Sequence, residues 1–533
     1  MDRGVRRRRP TRITMTDLTF LARLVGGRRV AAARSWRGGG IMRAQLSQLS
    51  RLTRRMAHTV YGHTYGLTRT ADYGLFRDTM PLTAYEDLRP WVMRMVGGEA
   101  DVLWPGVTRR FAQSSGTSDG RSKFIPVTDA SLRANHYRGA GDAVWHYLAN
   151  YPDSRMFGGK GFILGGSFAT ALDTPPGVKA GDLSAHLIEC VSPLVNLFRV
   201  PGKEVALMED WTLKVPALVA ASRNSDITNI SGVPSWFLTV LRAVMADAGA
   251  ATIHQVWPNL EVFFHGGIAM DPYRSQYAAI TDPRRKMRYV ETYNASEGFF
   301  AVQDLRQPGA MLLLLDAGVF YEFLPLDADG REVAAEAVPA WGVEEGRTYS
   351  LVITAPNGLC RYRIGDTVRI VSADPLRIAI AGRTKHFINA FGEEVMVYNT
   401  DAALTRTCAR HNCHCLDYTV APVFANGGRR GRHQWLVEWA KAPQDAAAFA
   451  ADLDAALQEE NSDYAAKRAG GIFLDPLTVT AAPRGLFDRW LATTGKLGGQ
   501  RKIPRLSNDR RIMDTLLAMM TDGHATRGQS PTV

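Results

Sequence analysis

The chain has 533 residues, too many for one hydrophobic core, which predicts two or more domains. Its hydrophobic share of 46% and charged share of 22% are those of an ordinary globular protein and exclude a fibrous or disordered chain. The net charge of +12 is confined to the N-terminus, because residues 1–55 carry fifteen arginines and two acids. The remaining residues carry 49 basic and 50 acidic groups, a balance that argues against a nucleic-acid partner for the body of the protein.

The N-terminus contains the run Arg6-Arg7-Arg8-Arg9-Pro10. Such a run is found in polyanion-binding or targeting tails, but the composition favours a basic, disordered extension over residues 1–40. Asp17 and Arg23 interrupt the apolar core that a secretory signal needs, and no stretch approaches the roughly 20 apolar residues of a membrane span. We therefore expect a cytoplasmic protein with no membrane partner.

Residues 41–62 have apolar positions at helical spacing, and a mixed α/β pattern follows. The predicted strands are Gly161–Leu164, Val262–Phe264, Met287–Val290 and Met311–Leu315, and the predicted helices between them include Ser131–Tyr147 and Trp236–Ala248. Segments Tyr349–Ile353 and Cys360–Arg363 flank an Asn-Gly pair, which predicts a β-hairpin whose turn uses positive φ angles.

A smaller α+β segment follows the loop at 381–394. It has a predicted strand at Gln434–Trp439, a helix near Asp445–Glu459 and a strand near Ile472. We therefore predict a large N-terminal domain over residues 41–390, a small C-terminal domain over 391–520 and a tail over 521–533. The fold class is α/β.

The five cysteines form an odd set without a signal segment, which argues against a disulfide framework. Cys408, Cys413 and Cys415 stand close to two histidines, but no distant ligand pair completes a structural zinc site. Reduced thiols are the favoured interpretation, with zinc as the alternative.

The first candidate motif is the loop Ser114–Gly120, with Lys123 just after it. Small hydroxyl residues and glycines leave backbone N–H groups accessible, so such a loop can hold a polyphosphate. It lacks the Walker pattern, and by itself it would more simply be an ordinary loop.

Two further motifs carry acidic side chains. The segment Tyr293–Gly298 places an aromatic ring near Glu297, whose carboxylate suits Mg²⁺. The segment Tyr362–Asp366 ends in a carboxylate that could accept both hydroxyls of a ribose. A strand-end turn and an Arg–Asp surface pair are the simpler explanations of each motif taken alone.

Two basic motifs come last, Gly382–Lys385 and Gln500–Arg505. Lysine is a compact and mobile charge that suits a phosphate or an oxyanion. Charged runs usually face water, so each of these motifs alone is typical of a solvated patch.

Taken together and in this order, the motifs resemble the auxin-responsive promoter-type acyl-acid amido synthetases, a branch of the adenylate-forming superfamily that includes firefly luciferase and the acyl-CoA ligases. The segments that resemble this branch in particular are Tyr85–Pro90, Leu103–Gly106, Ser114–Gly120 with Lys123–Pro126, Trp257–Leu260 and Gln500–Arg505. The resemblance spans about residues 43–515. It implies a large mixed α/β adenylation domain followed by a smaller, mobile α+β domain.

The resemblance also implies roles for single residues. Those that would hold the nucleotide are Ser114, Ser115, Gly116, Thr117, Lys123, Tyr293 (against the adenine), Ser296 (near the α-phosphate) and Asp366 (on the ribose). Glu297 would bind Mg²⁺, Arg383 and Lys385 stand where the hinge begins, and Lys502 would swing in to support adenylation. Arg133, His136 and Arg138 follow the phosphate loop, but we expect them to be ordinary helix-surface residues.

The implied activity uses ATP and Mg²⁺ to convert a small carboxylic acid into an acyl-adenylate, with release of pyrophosphate. An amine, typically an amino acid, then takes the acyl group. An acyl-CoA or carrier-loading ligase shares the first step and remains an alternative. An alternative of another class is a catalytically inactive nucleotide-binding protein. The sequence identifies neither the acid nor the amine.

Overall fold

The computed structural model describes residues 17–114, 123–168, 170, 172–268, 270–285, 287–326, 332–333, 336–383, 387–425, 430–493 and 503–525. Within these residues the strands are β1 (Arg110–Ser114), β2 (Lys123–Pro126), β3 (Lys160–Ile163), β4 (Lys179–Gly181), β5 (Arg199–Val200), β6 (Ile227–Gly232), β7 (Val262–His265), β8 (Arg288–Ala295), β9 (Gly298–Val302), β10 (Met311–Leu313), β11 (Phe320–Pro325), β12 (Val338–Pro339), β13 (Thr348–Thr354), β14 (Tyr362–Ala373), β15 (Leu376–Arg383), β16 (Phe387–Ile388), β17 (Val395–Met396), β18 (His414–Val423), β19 (Arg432–Lys441) and β20 (Thr478–Ala482).

The α-helices of the same residues are α1 (Thr19–Ser35), α2 (Gly39–Met56), α3 (Val60–Thr64), α4 (Tyr73–Thr79), α5 (Tyr85–Val96), α6 (Asp129–Ser131), α7 (Tyr137–Asn150), α8 (Leu183–Cys190), α9 (Pro193–Asn196), α10 (Lys203–Ala206), α11 (Trp211–Ser222), α12 (Pro234–Ala248), α13 (Ile253–Val256), α14 (Arg274–Ile280), α15 (Val397–Arg410), α16 (Ala446–Glu460), α17 (Ser462–Arg468), α18 (Leu486–Thr493) and α19 (Arg511–Ala525). A π-helical turn, Leu132–His136, joins α6 to α7. None of the described helices is long and apolar enough to cross a bilayer.

The largest assembly is a mixed sheet of twelve described strands, in the order β12-β11-β13-β14-β15-β10-β9-β8-β7-β6-β3-β5. Strands β8, β7, β6, β3 and β5 pair in parallel, whereas β8 pairs with β9 in antiparallel fashion. Every residue of β7 is buried, as expected for the continuous apolar run that a covered parallel strand carries. The sheet therefore changes from parallel to antiparallel at β8.

A smaller sheet has the order β2-β1-β4. Ser114 at the end of β1 stands opposite Lys123 at the start of β2, and the two strands are antiparallel. Residues 115–122, which are rich in Ser and Gly, therefore connect β1 to β2 at the Ser114–Lys123 end of this strand pair.

The predicted hairpin is confirmed, because β13 and β14 pair in antiparallel fashion. The expected turn chemistry is only half right: of the Asn-Gly pair, Gly358 has a positive φ of 95° and Asn357 does not. The side chain of Asn357 instead donates a hydrogen bond of 3.1 Å to the backbone carbonyl of Glu297. The hairpin loop is thereby tied to the turn that carries Glu297.

The C-terminal region forms a three-stranded sheet, β18-β19-β20. The predicted helix is confirmed as α16, and the side chain of Asp445 caps it by accepting hydrogen bonds from two backbone N–H groups. The strand predicted near Ile472 is wrong, because Gly470 and Gly471 adopt positive φ angles that end the preceding helical segment there. The third strand is β20, which runs parallel to β19.

The N-terminal prediction needs a correction as well, since residues 19–35 form helix α1 rather than a disordered extension. Arg29 is the main reason: its guanidinium pairs at 2.8 Å with the fully buried carboxylate of Asp142 and also with Asp316. Gly26 lets α1 approach α7 closely, because a Cβ at this position would lie 2.4 Å from the ring of Trp145. The helix is thus docked by ion pairs whose acidic partners lie far away in the sequence.

One continuous hydrophobic cluster joins the large sheet to the C-terminal region. It contains Phe263 of β7 and Phe237 of α12, which packs on the sheet, together with Trp435 and Phe449 from the C-terminal region, and Phe391 lies between the two groups in the sequence. The boundary predicted near residue 390 therefore lies inside packed structure, and it stays a prediction. Helix α19 extends to Ala525, so the predicted tail begins later than residue 521.

Candidate active site

The segment that carries Glu297 is a tight hairpin between β8 and β9. Strand β8 extends to Ala295, five residues beyond the predicted end, so Tyr293 lies within the strand rather than after it. Ala295 pairs with Gly298, which leaves Ser296 and Glu297 as the two residues of the turn. Glu297 is nevertheless buried, with 6% of its surface exposed. A carboxylate is thus held at the point where the sheet changes from parallel to antiparallel.

Tyr293 and Asp366 are joined directly. The hydroxyl of Tyr293 donates a hydrogen bond of 2.6 Å to Oδ2 of Asp366, and both side chains are buried. The ring of Tyr293 packs edge-on against Phe300, with ring centroids 5.0 Å apart. This hydrogen bond holds the carboxylate of Asp366 in one orientation. Stacking of a base on Tyr293 stays a prediction.

Tyr362 connects Glu297 to Lys123. Its hydroxyl lies 3.5 Å from Oε1 of Glu297 and accepts a hydrogen bond of 3.2 Å from the ammonium of Lys123. The same ammonium lies 5.9 Å from the ring centroid of Tyr85 and 5.8 Å from that of Tyr362, within the range of a cation–π contact. A lysine at the base of the Ser- and Gly-rich loop is therefore positioned by two aromatic rings.

Tyr85 is fixed in turn by the backbone of β2. Its hydroxyl accepts a hydrogen bond of 2.7 Å from the backbone N–H of Phe124, the residue after Lys123. Burial raises the pKa of Tyr85 to about 12, so the hydroxyl stays neutral at physiological pH. Tyr85 thus adds orientation and a π face beside the lysine without adding a charge.

The residue before Tyr362 anchors it to the core. Arg361 has a positive φ of 42°, a conformation that a non-glycine residue adopts only when its surroundings impose it. Its guanidinium pairs with the fully buried Glu322 at 2.9 Å and donates to the backbone carbonyls of Arg77 and Met80. A buried ion pair therefore holds in place the residue that directly precedes Tyr362, the first residue of β14.

The structure also identifies a segment that the sequence analysis missed, Gly266-Gly267 directly after β7. A Cβ at Gly266 would lie 2.6 Å from the backbone oxygen of Thr292 on the neighbouring strand, so only glycine fits there. Gly267 has a positive φ of 83°. This loop lies at the carboxyl end of a parallel strand, where open α/β sheets bind their ligands. The signal was present in the sequence as a glycine pair after an apolar run.

The predicted site residues divide into three groups. Tyr293 contacts Asp366, Lys123 and Glu297 both contact Tyr362, and Ser296 belongs to the same turn as Glu297. Ser114 and Arg383 are placed by backbone register alone, opposite Lys123 and Asp366 respectively. The others lie outside the described residues; these are Ser115, Gly116, Thr117, Lys385 and Lys502.

The three residues expected on a helix surface behave differently from one another. Arg133 is exposed as expected, and Arg138 pairs with Asp316 at 2.9 Å. His136 is buried, which corrects the expectation, and burial lowers its pKa to about 4. The side chain of its neighbour Asn135 forms hydrogen bonds with the backbone N–H and carbonyl of Phe299, which attaches this helical turn to β9.

The side chains of Cys408, Cys413 and Cys415 do not form a metal-ligand group with their described neighbours. All five cysteines are free thiols, and no group of three or more Cys, His, Asp or Glu side chains in the described part of the chain could hold a metal ion. Burial raises the pKa of Cys408 to about 12 and that of Cys415 to about 12, so both thiols stay protonated. Reduced thiols, the favoured interpretation, stay a prediction.

Three family models match the chain. The GH3 family N-terminal domain matches residues 41–285, the GH3 family central domain matches residues 312–383, and the GH3 family C-terminal domain matches residues 398–511. The matches follow each other in chain order. Together they cover most of the chain, including β7 and β14, while β8 and β9 lie between the first two matches.

Similar proteins carry related names. A probable indole-3-acetic acid-amido synthetase (GH3.1) of Arabidopsis thaliana is 22% identical, over 90% of this chain and 91% of its own length. The jasmonoyl–L-amino acid synthetase JAR6 of Nicotiana attenuata is 23% identical, over 61% of this chain and 66% of its own length.

Solved structures share the fold. The acyl acid amido synthetase AtGH3.15 in complex with 2,4-DB aligns with a TM-score of 0.59 at 17% identity, over 93% of this chain and 96% of that one. A 2-hydroxyisobutyryl-CoA ligase in complex with 2-HIB-AMP and CoA aligns with a TM-score of 0.54 at 14% identity, over 90% and 92% of the two chains. With its three domain matches in order and this fold, the chain belongs to the GH3 family.

Proposed function

We propose that this protein is an ATP-dependent acyl-acid amido synthetase that activates a small carboxylic acid as an acyl-adenylate and transfers the acyl group to an amine, typically an amino acid. The observation that carries the proposal is a pair of side-chain contacts that join the β8–β9 hairpin to β14: Tyr293 donates to Asp366, and Tyr362 links Glu297 to Lys123. The names of the similar amido synthetases support the second half of the reaction.

The donor set fits a magnesium nucleotide. Mg²⁺ prefers hard oxygen ligands beside phosphates, and Glu297 offers a buried carboxylate at the turn after β8. The hydroxyls of a ribose need a fixed acceptor, and the carboxylate of Asp366 is held by Tyr293. We propose that Glu297 holds the metal, which would offset phosphate charge when bound, and that Asp366 binds the ribose. Ser296, which directly precedes Glu297 in the same two-residue turn, would lie near the α-phosphate.

A carboxylate is a poor acyl donor because its leaving group would be oxide. Attack of the carboxylate oxygen on the α-phosphorus of ATP forms a mixed anhydride and releases pyrophosphate, which turns the leaving group into AMP. The hydroxyl of Tyr362 links Lys123 to Glu297, and we propose that Lys123 stabilises charge on the phosphates. An incoming amine then attacks the acyl carbon and expels AMP.

The second half-reaction needs different surroundings from the first. We propose that Lys502 supports adenylation and that the segment around Arg383 and Lys385 forms the hinge that moves it. The N-terminal region holds the loop that follows this segment: Ser235 Oγ donates to the carbonyl of Phe391 at 3.0 Å, and the hydroxyl of Tyr273 donates to that of Ala390. A domain movement that pivots around Arg383 and Lys385 would therefore have to break these contacts.

An acyl-CoA ligase remains a second possibility, favoured by the fold similarity to the 2-hydroxyisobutyryl-CoA ligase. Both activities begin with adenylation and differ only in the acceptor. Amide formation without thioester formation supports the proposed function, whereas a product that forms only with CoA overturns it in favour of the ligase.

The test is acid-dependent exchange of labelled pyrophosphate into ATP, measured over a panel of aryl, indolyl and fatty acids. Mass spectrometry with the best acid and pooled amino acids then identifies the acceptor. We expect exchange only with an acid present, and an amide product that depends on ATP. Binding of ATP without exchange for any acid would contradict the proposal and favour an inactive nucleotide-binding protein.

A further inference from the structure

The exposed face of α1 has no covering element among the described residues. Phe20, Leu21, Leu24 and Val25 are between 56% and 69% exposed. At 100° per residue these four positions lie on one side of the helix, together with exposed Arg28. The opposite side contains buried Gly26, Val30 and Ala33 and faces α7. The helix is thus docked by one face and presents an apolar face outward.

The surroundings of this face are strongly basic. Residues 18–71 contain ten arginines and neither Asp nor Glu, and six further arginines stand in residues 1–16. Several of the arginines on α1, α2 and the turn between them are exposed and form no ion pair with a carboxylate of the described residues; these are Arg28, Arg37, Arg43, Arg51, Arg54 and Arg55. Exposed arginines and the apolar face therefore lie on α1 and on the segments that directly follow it in the chain.

We infer that α1 is a docking surface for an anionic lipid bilayer, with Phe20, Leu21, Leu24 and Val25 entering the interface and the arginines contacting the headgroups. A helix with an apolar face and basic neighbours is the type that lies in the plane of an anionic membrane. Such contact needs no spanning segment, so it agrees with the described helices. It departs from the expectation of no membrane partner, which the sequence supported by the absence of a spanning segment.

Two other partners fit the observations less well. In a symmetric pair of copies, the same patch meets itself, so the contact would bring the arginine-rich ends of both chains together. Nucleic acid would use the arginines, but it offers no apolar phase for three aliphatic side chains and one phenyl ring. An anionic bilayer is complementary to both the charge and the apolar face.

The experiment is co-sedimentation of the full chain with vesicles. We expect binding to phosphatidylcholine vesicles that contain about one third phosphatidylglycerol, little binding to pure phosphatidylcholine, and weaker binding as salt is raised. The double variant Leu21→Ser with Leu24→Ser should lower the partition coefficient about tenfold. The matched control is Leu194→Ser with Leu197→Ser, which changes two leucines that are 71% and 64% exposed elsewhere. The control variant should bind as the wild type does.

Each other outcome overturns the inference. Equal binding to neutral and anionic vesicles, or an equal loss in the control variant, would show that the contact is unspecific. Absence of sedimentation with wild-type protein would exclude the lipid surface. If the Leu21→Ser, Leu24→Ser variant instead turns a dimer into a monomer in light scattering, the face is a contact between copies. Retention on duplex DNA without vesicle binding would point to a nucleic acid. The unfolding midpoint of each variant confirms that the fold is intact.

Discussion

The hydroxyl of Tyr293 and the carboxylate of Asp366 form a buried hydrogen bond of 2.6 Å between two strands of the large sheet. Tyr293 lies on β8 and Asp366 on β14, 73 residues apart in the sequence. The bond leaves Asp366 with a fixed orientation before any nucleotide arrives. Under the proposed function this orientation lowers the cost of ordering the ribose.

Removal of that hydroxyl should weaken nucleotide binding more than folding. In Tyr293→Phe the carboxylate of Asp366 loses a charge-assisted partner, and we expect the dissociation constant for ATP to rise about tenfold. Titration calorimetry checks this. Tyr349→Phe is the matched control, because that hydroxyl accepts a single hydrogen bond of 3.0 Å from the backbone of Glu344, away from the site. Equal ATP affinity in both variants would contradict the role of Tyr293.

The proposed contact between Asp366 and the ribose predicts a change in selectivity. We expect wild-type protein to bind ATP at least about tenfold more tightly than 2′-deoxy-ATP, since a charged acceptor distinguishes a substrate hydroxyl from its absence. In Asp366→Asn this preference should largely disappear while binding of 2′-deoxy-ATP changes little. Competition binding with both nucleotides measures the two affinities. An Asp366→Asn variant that keeps the wild-type preference would remove Asp366 from the ribose site.

The contact between Lys123 and Tyr362 predicts a coupled loss of activity. We expect Lys123→Met to lower pyrophosphate exchange about a hundredfold and Tyr362→Phe about tenfold, because the hydroxyl positions the ammonium. If the two act through one contact, the double variant should be no slower than Lys123→Met alone. The exchange rates of the four proteins form a double-mutant cycle. Strictly additive losses would mean that Tyr362 does not act through Lys123.

The sequence predicted the residues whose patterns are local and missed those whose partners are distant. Glu297 and Asp366 stand in short motifs, so their place in the site could be predicted. No role could be predicted for Tyr362, because its partner Lys123 lies 239 residues away and no local pattern links the two residues. Helix α1 was missed for the same physical reason: the carboxylates that bind Arg29 are 113 and 287 residues away. An arginine-rich composition alone is typical of disorder.

The buried pair of Arg361 and Glu322 predicts a large effect on stability. Glu322→Gln leaves a buried guanidinium without its counter-charge, and we expect a loss of about 3 kcal/mol in the free energy of unfolding. The control is Glu332→Gln, whose partner Arg363 is 42% exposed at 3.3 Å, and it should cost at most about 1 kcal/mol. Urea unfolding of both variants gives the comparison. Equal midpoints would mean that the buried pair adds nothing beyond a surface pair.

Buried histidines predict a loss of stability in mild acid. Burial lowers the pKa of His146 to about 4, and neither of its ring nitrogens has a hydrogen-bond partner among the described residues. The unfolded chain titrates near 6.5 and therefore binds more protons than the folded chain between these two values. The contribution of His146 is thus fully present above about pH 6.5 and is lost at up to roughly 1.4 kcal/mol per pH unit as the pH falls toward 4.

Replacement of this ring isolates its share of the acid sensitivity. We expect His146→Phe to flatten the fall in unfolding free energy between about pH 6.5 and 4, since a phenyl ring cannot take up the proton. His63→Phe is the control, because it makes the same replacement at an exposed position. Urea unfolding at a series of pH values measures both slopes. If His146→Phe has the wild-type slope, the acid sensitivity comes from other buried groups, of which His136 is the next to test, because burial also lowers its pKa to about 4.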